Sequence, residues 1–140
     1  MKRAVTLVFF FGLFLLLFVS NSKQLEINIG FFLNGAPAET SYLLLNARNN
    51  FTMVITINMD AKCLIKLVSF SKSIVVKPNT TIAMTQKGVN QVTFWLIPTS
   101  VPPDNRVSIN YHLACNSTSI LQKSFFSANG WVVMNVTDKT

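Results

Sequence analysis

The chain has 140 residues, of which 50% are hydrophobic, and it carries 12 Lys and Arg against 5 Asp and Glu, for a formal net charge of +7. This length is enough for one domain that buries a core without a dense set of disulfides, and it excludes two domains. The lysines lack the density of a nucleic-acid-binding arm, so nucleic acid is not an expected partner.

The start of the chain has the layout of a secretory signal peptide. Lys2 and Arg3 precede an uncharged apolar run of 16 residues, at positions 4–19, and small residues follow at Ser20 and Ser22. A positive start, an apolar middle and a small-residue exit are the three parts of such a signal. The rest of the chain is therefore expected outside the cell or in an oxidising lumen.

We predict that the signal peptide covers residues 1–22, that it is cut after Ser22, and that residues 23–140 form a single domain. The apolar run is slightly long for a signal and shorter than the roughly 20 residues of a membrane span. The alternative is an uncleaved anchor, with Lys2 and Arg3 in the cytoplasm. Both alternatives place the domain in the same compartment.

Alternation of apolar and polar side chains predicts β-strands along most of the remaining chain. Residues 25–31, 51–59 and 107–115 alternate cleanly, which is typical of strands with one face in the core and one in water. In the last of these strands the predicted inward side chains include Tyr111 and Cys115.

Other segments are apolar on both faces. Residues 42–45, 73–76 and 92–97 are rich in β-forming residues without alternation, which predicts central strands or strands whose outer face is covered. Residues 61–70 fit either a strand or a helix, and we favour the strand because the segment is short and flanked by strands.

Turn residues separate these segments. Dipeptides that tolerate positive φ predict three chain reversals, at Asn34-Gly35, Lys87-Gly88 and Asn129-Gly130. The prolines are all predicted between strands: Pro37, Pro78, Pro98, Pro102 and Pro103. Nine or ten short strands follow, and the pattern predicts an all-β fold, an antiparallel sandwich or barrel.

Two cysteines, Cys63 and Cys115, fall on the apolar faces of predicted strands about 52 residues apart. In a secreted domain an even number of cysteines predicts pairing, here a bridge between the two sheets of a sandwich, worth about 4 kcal/mol by the chain-entropy estimate. Tyr111 and Trp95 do not have the immunoglobulin spacing from the cysteines, so the β-sandwich is immunoglobulin-like in plan only.

Catalysis has little support in the sequence. The one histidine, His112, lies on the polar face of a predicted strand, and the acidic residues are scattered. No phosphate loop, nucleophile motif or metal-spaced cluster occurs, and with both cysteines paired no thiol remains as a nucleophile. We therefore predict a protein that is not an enzyme and that has no metal and no cofactor.

Four Asn-X-Ser/Thr sequences are candidate N-glycosylation sites: Asn50, Asn79, Asn116 and Asn135. The first three lie at predicted strand ends or turns, where a glycan would project into solvent, and Asn135 lies inside the last predicted strand. In a eukaryotic source we expect two or three of these sites to be occupied.

Lysines concentrate in a stretch that has no acidic residue between Asp60 and Asp104, namely Lys62, Lys66, Lys72, Lys77 and Lys87. One interpretation is a solvated face with edge lysines that discourage aggregation between sheets. The other is a basic patch for an acidic partner, which would be a glycan, a lipid headgroup or an acidic protein surface.

The later strands carry more large apolar residues than one core stripe needs. They include Phe94, Leu96 and Ile97, together with four candidate contact residues, Trp95, Phe125, Phe126 and Trp131. Three interpretations are open: central strands buried on both faces, an interaction patch on a sheet face, or an apolar cavity that holds a lipid.

Together these features predict a secreted or cell-surface glycoprotein that binds an extracellular protein or an acidic glycan. The contacts would come from the loop at 98–106, the region at 125–131 and the lysine-rich stretch. The alternative is a secreted carrier that holds a lipid between its sheets, and a third hypothesis is a membrane-tethered form of the first. The support for binding at this stage is largely analogy between folds.

Overall fold

Ten strands make up most of the part of the chain that the computed structural model describes, residues 24–121 and 123–138. The predicted signal peptide and its cut after Ser22 lie outside these residues. Across the described ranges, none of the helical structure has the length and apolar character needed to cross a bilayer. The strands are, in chain order, β1 Ile27–Leu33, β2 Ala36–Pro37, β3 Tyr42–Leu44, β4 Asn49–Ile57, β5 Ala61–Ser69, β6 Ile74–Lys77, β7 Thr80–Thr85, β8 Gly88–Pro98, β9 Arg106–Ser117 and β10 Phe125–Thr137.

The strands form two five-stranded sheets. Sheet A has the order β2-β1-β4-β8-β6, and sheet B has the order β3-β10-β9-β5-β7. Every neighbouring pair is antiparallel except β3 and β10, which are parallel. The predicted all-β sandwich is confirmed, and so is the strand at 61–70, which is β5.

Two segments without alternation form edge strands, β3 and β6. In β3 only Leu43 is buried, and in β6 only Ile74 is buried. The neighbours Tyr42, Leu44 and Val75 are apolar but exposed. These strands therefore have one inner face like the others, and their apolar outer residues concealed the alternation in the sequence.

The core lies between the inner faces of the two sheets. In β4 every second side chain from Phe51 to Ile57 is buried, and in β5 the same is true from Ala61 to Leu67. Full burial of a large apolar side chain contributes about 1.5–3 kcal/mol before the entropy of ordering is subtracted. The alternation in the sequence is thus the physical cause of the two-layer arrangement.

The disulfide joins Cys63 in β5 to Cys115 in β9, with their Cα atoms 4.1 Å apart. These strands are neighbours in sheet B, and the two cysteines are direct partners in the register. The prediction of a bridge between the sheets was therefore wrong, because an inward side chain can also meet its cross-strand neighbour in the same sheet. The bridge fixes the register of β5 against β9.

Asn49, at the start of β4, is fully buried and ties the two sheets together. Its Oδ1 accepts a hydrogen bond from the N–H of Leu44 in β3 at 2.9 Å. Its Nδ2 donates to the carbonyl of Leu44 at 3.0 Å and to that of Leu96 in β8 at 3.1 Å. Because β3 belongs to sheet B and β8 to sheet A, one side chain bridges both layers.

The predicted reversal at Asn129-Gly130 was wrong, because both residues lie inside β10. Gly130 pairs with Tyr111 in β9, and a Cβ atom on it would lie 2.7 Å from the Tyr111 Oη. The ring of Tyr111 also packs on that of Phe31, with centroids 4.9 Å apart. A glycine is needed here for close approach of an aromatic ring and not for a turn.

The other two turn predictions agree with the structure. Asn34 and Gly35 have φ angles of 52° and 86° between β1 and β2, and Gly88 has a φ of 117° at the start of β8. Pro37 and Pro98, predicted between strands, are instead the last residues of β2 and β8. A strand end tolerates proline because its missing N–H interrupts no ladder there.

Replacement of Asn49 by Ala should lower the free energy of unfolding by about 3 kcal/mol, because it leaves the buried carbonyl of Leu96 and the part-buried N–H and carbonyl of Leu44 without the amide as partner. The measurement is urea denaturation followed by circular dichroism. Thr93→Ala, at an exposed site of the same sheet, is the control and should change stability by less than about 0.5 kcal/mol. An equal, small effect of both substitutions would show that Asn49 does not tie the sheets.

Gly130→Ala should destabilise the protein by about 2 kcal/mol, since the added Cβ overpacks against the ring of Tyr111. Gly30→Ala is the matched control, because its Cβ would meet Phe32 at 3.6 Å, an ordinary contact. Thermal unfolding of both variants should separate them, with Gly30→Ala close to the parent protein. A destabilised Gly30→Ala beside an unchanged Gly130→Ala would contradict the packing described for Tyr111.

Candidate functional site

The outer face of sheet B is the surface whose composition departs most from that of a solvated sheet. Its side chains are assigned by the register, in which Cys63 faces inward opposite both Cys115 and Ala83. The next residue of β5, Leu64, must then face outward, because successive side chains point to opposite faces. Leu64 is 47% exposed, which agrees with that assignment.

One apolar cluster, called here the first cluster, occupies the β7 side of this face and reaches across to β10. Leu64 lies opposite Ile82 in β7 and Ala114 in β9. In the neighbouring row Met84 lies opposite Lys62, and Phe125 lies opposite Asn116. The exposed fractions of Ile82, Met84 and Phe125 are 61%, 67% and 62%. The first cluster consists of Leu64, Ile82, Met84, Ala114 and Phe125.

A second apolar cluster lies at the other end of the same face and consists of Val68, Phe70, Trp131 and Val133. The rings of Phe70 and Trp131 are in contact, with centroids 5.8 Å apart, yet both side chains are more than half exposed. Clusters of aromatic and branched side chains that remain more than half exposed are uncommon on a sheet that faces only water.

Asn110 fixes the base of the second cluster. It faces outward from β9, directly between Val68 and Trp131, and is buried. Its Nδ2 donates to Asn129 Oδ1 and to the carbonyl of Gly130, each at 2.9 Å. The amide thus holds β10 against β9 beneath the exposed indole.

A polar row separates the two clusters. From β7 to β10 it contains Thr80, Lys66, His112 and Asn129, which are successive cross-strand partners. Lys66 in this row and Lys62 in the first cluster's region give the face two exposed ammonium groups. All five acidic residues of the sequence lie outside the ten strands, so none of the strand residues of this face is acidic. The face is therefore apolar and positively charged.

The outer face of sheet A provides the contrast. It has polar cross-strand pairs, such as Thr52 opposite Thr93 and Thr56 opposite Asn28. Its exposed apolar side chains are scattered among them, at Phe32, Val75, Val89 and Trp95. Its tryptophan, Trp95, is 39% exposed, whereas Trp131 on sheet B is 56% exposed. The two faces thus differ although both sheets share one core.

The five lysines of the predicted basic patch lie on different surfaces. Lys62 and Lys66 lie on the outer face of sheet B, whereas Lys77 ends β6 in sheet A. Lys72 lies between β5 and β6, and Lys87 lies between β7 and β8, where its N–H donates to Asp60 Oδ1 at 2.8 Å. The lysines do not converge on one patch, and only the first two share a surface with the apolar clusters.

The four predicted apolar contact residues also lie in different places. Phe125 and Trp131 lie on the outer face of sheet B, while Trp95 lies on sheet A. Phe126 faces inward and packs against the core. The predicted contact loop at 98–106 connects β8 in sheet A to β9 in sheet B.

Seven of the nine members of the two clusters were missed in the sequence, namely Leu64, Val68, Phe70, Ile82, Met84, Ala114 and Val133. A signal was present in β7, where the side chains of Thr81, Ala83 and Thr85 alternate with larger apolar ones. Small and hydroxyl residues on the inner face and large ones outside reverse the usual pattern, so the strand was not recognised as half-exposed.

The four glycosylation candidates lie in different settings. Asn79 is exposed between β6 and β7, and Asn116 is exposed on the outer face of sheet B beside Lys62. Asn50 is half-buried opposite Trp95, and its Oδ1 accepts a hydrogen bond from Thr52 Oγ1 at 2.8 Å. Asn135 is half-buried within β10.

The described ranges contain surface concavities but no candidate metal site. A concavity of about 490 Å³ lies where the start of β1 and the end of β4 approach Phe126, and its lining mixes apolar side chains such as Leu25 and Ile57 with Asn28 and Asn58. No group of three or more His, Cys, Asp or Glu residues that could hold a metal occurs in residues 24–121 and 123–138. His112 is exposed on the outer face of sheet B.

Comparison with known proteins gives a likeness in structure only. No protein-family model matches the sequence, and no curated protein sequence matches it. WR4, a C. elegans MSP family member, is similar with 16% identity over 79% of this chain and 97% of that chain, at a TM-score of 0.45. The E. coli chaperone DraB is similar with 13% identity over 84% of this chain and 58% of that chain, at a TM-score of 0.44.

Proposed function

We propose that this protein is a secreted, non-enzymatic β-sandwich module that binds an extracellular protein through the outer face of sheet B. The observation that carries the proposal is the pair of apolar clusters on one sheet face, separated by a row that contains Lys66. Exposed apolar patches of this kind mark interaction sites because water contact with them is unfavourable.

The chemistry of the face defines the partner. Exposed aromatic side chains such as Trp131, Phe70 and Phe125 supply large contact area and are the residue types that dominate binding energies. Lys62 and Lys66 favour a partner with carboxylates placed opposite them, since complementary charge raises the rate of association. The proposed partner is thus a protein with an apolar contact surface and acidic groups within or around it.

Secretion is part of the proposal. Disulfides persist in oxidising compartments, and the bridge between Cys63 and Cys115 agrees with the signal-like pattern at the start of the sequence. Of the glycosylation candidates, Asn79 is the best exposed outside the proposed binding face. A glycan on Asn116 would project from that face, so we propose that Asn116 is unmodified in the form that binds. An uncleaved, membrane-tethered form would present the same face.

The other hypotheses have less support. An acidic glycan would be favoured by a convergent set of lysines, but three of the five lie away from sheet B's outer face. A lipid held between the sheets would need space there, but inward side chains such as Phe51, Phe94 and Ile65 are fully buried. Catalysis would need titratable groups held together, and the cross-strand partners of His112 are Lys66 and Asn129, neither of them acidic.

The binding face is tested with two matched pairs of variants. Leu64→Asp and Trp131→Ser alter sheet B, and Val89→Asp and Trp95→Ser alter exposed positions of sheet A. The parent protein is crosslinked to its neighbours in native extracellular fluid, the principal crosslinked protein is purified, and its affinity for each variant is measured by surface plasmon resonance. We expect affinity to fall at least tenfold for the sheet B pair only, because those variants remove buried apolar contacts.

Equal affinities across the two pairs, or a loss confined to the sheet A pair, would refute the assignment of the binding face. Circular dichroism of all four variants shows that a loss of affinity is not a loss of fold.

The role of charge is tested by Lys66→Glu, with Lys87→Glu as the control. The first variant should slow association with the purified partner several-fold at low salt, and the second should not, because only Lys66 faces the partner. Chromatography on heparin addresses the glycan hypothesis. Retention that depends on Lys72 and Lys77, with no effect of Lys66→Glu on protein binding, would favour a glycan partner instead.

A further inference from the structure

Strand β7 forms one edge of sheet B and pairs with β5 alone among the described strands. It contains six residues, Thr80–Thr85, none of them charged and none of them proline. Its pairing with β5 advances one residue at a time, so no bulge twists the edge away. Exposed edges of this kind are open to pairing with another strand.

The other edges of the sandwich are better protected. Strand β2 has two residues and includes Pro37, and β3 has three. Strand β6 ends in Lys77 and is followed by Pro78. Short length, lysine and proline are the usual means by which proteins prevent unwanted pairing. Among the four edges, β7 is therefore the one suited to accept a partner strand.

The register shows which backbone groups of β7 face outward. The 4.1 Å separation of the Cα atoms of Cys63 and Cys115 identifies a pair that exchanges no backbone hydrogen bonds. The N–H and carbonyl of Cys63 must then face β7, where its partner is Ala83. The hydrogen bond from Leu67 N–H to the Asn79 carbonyl, at 2.8 Å, follows the same alternation.

It follows that the backbone N–H and carbonyl groups of Thr81, Ala83 and Thr85 face β5. The N–H and carbonyl groups of Thr80, Ile82 and Met84 point away from the sheet, along its free edge. The side chains of the same three residues lie on the outer face. One edge thus offers regularly spaced donors and acceptors beside an apolar surface.

We propose that two copies of this protein pair through β7, antiparallel, about a two-fold axis at Ile82. In this register Ile82 faces Ile82 of the second copy, and Thr80 faces Met84 in both directions. Each facing pair exchanges two backbone hydrogen bonds, for about six in all. The edge carries no charge, and its outward backbone groups, at Thr80, Ile82 and Met84, are spaced evenly about Ile82. This symmetry is the reason for choosing a second copy, because an isologous contact requires a surface complementary to itself.

Charge does not prevent this pairing. Lys66 lies beside Thr80 and Lys62 beside Met84, so the nearest lysines of the two copies are three strand spacings apart, roughly 14 Å. That distance exceeds the screening length of about 8 Å at physiological salt. The aliphatic stems of the same lysines can cover the apolar side chains of β7.

Pairing at the edge leaves the outer face of sheet B open. The dimer would join two such faces into one continuous surface, with the first clusters of the two copies side by side. This proposal goes beyond the proposed function and does not depend on it. A partner with two copies of its own site would gain in apparent affinity from the doubled surface.

The dimer is tested by sedimentation velocity of the secreted protein over a range of concentrations, after enzymatic removal of N-linked glycans. We expect a reversible dimer whose fraction rises with concentration. Ile82→Lys and Met84→Lys should each weaken dimerisation at least tenfold, and Val89→Lys, at an equally exposed position on sheet A, should not. A monomer at every concentration, or a dimer that both β7 variants leave unchanged, would overturn the proposal.

The register is tested by Ile82→Cys. Facing Cα atoms in a hydrogen-bonded pair are about 5.5 Å apart, within the range that a disulfide spans. Mild oxidation should give a covalent dimer of Ile82→Cys, while Val89→Cys stays monomeric. Equal crosslinking of both variants would refute the β7 contact. Trp131→Ser should dimerise like the parent protein, so failure of the dimer is distinguishable from failure of the proposed function.

Discussion

The pairing of Cys63 with Cys115 is the constraint on which the surface of this protein depends. Side chains alternate along a strand, so a slip of one residue between β5 and β9 would exchange inner and outer faces. Leu64, Lys62 and Lys66 would then enter the core, and Ile65 would meet water. The covalent bond between direct partners excludes that slip, and the pairing of β7 and β10 with these strands extends the assignment across sheet B.

One core carries two sheets whose outer faces differ in composition. Both sheets need apolar inner faces, and burial of those faces accounts for folding. It does not account for Trp131, Phe70 and Met84, which are mostly exposed. Water contact with such side chains brings no benefit to the isolated domain. Their concentration on sheet B, beside Lys66, is the observation on which the proposed binding face rests.

Much of the fold could be predicted from period-two patterns. These patterns identified β4 and β9, because burial of one face of a strand requires apolar residues at every second position. The outer face of sheet B could not be predicted in the same way. An apolar residue at an outward position, such as Ile82, looks like a core residue until the register is known. The same limit explains Gly130, whose role depends on the ring of Tyr111 in another strand. It also explains the bridge, because the sequence predicts the pairing of Cys63 with Cys115 but does not specify that their strands are neighbours in one sheet.

The central claim is that a bound partner covers the outer face of sheet B in the protein's native setting. Hydroxyl-radical footprinting, read by mass spectrometry, tests it most directly, since oxidation of Met and aromatic side chains follows their exposure. The protein is labelled in its native extracellular fluid and again after purification at a concentration low enough to keep it monomeric. The account predicts that Met84, Phe125 and Trp131 are protected in the native setting while Trp95 is labelled equally in both. Equal labelling of all four residues in the two settings, or protection of Trp95 alone, would contradict it.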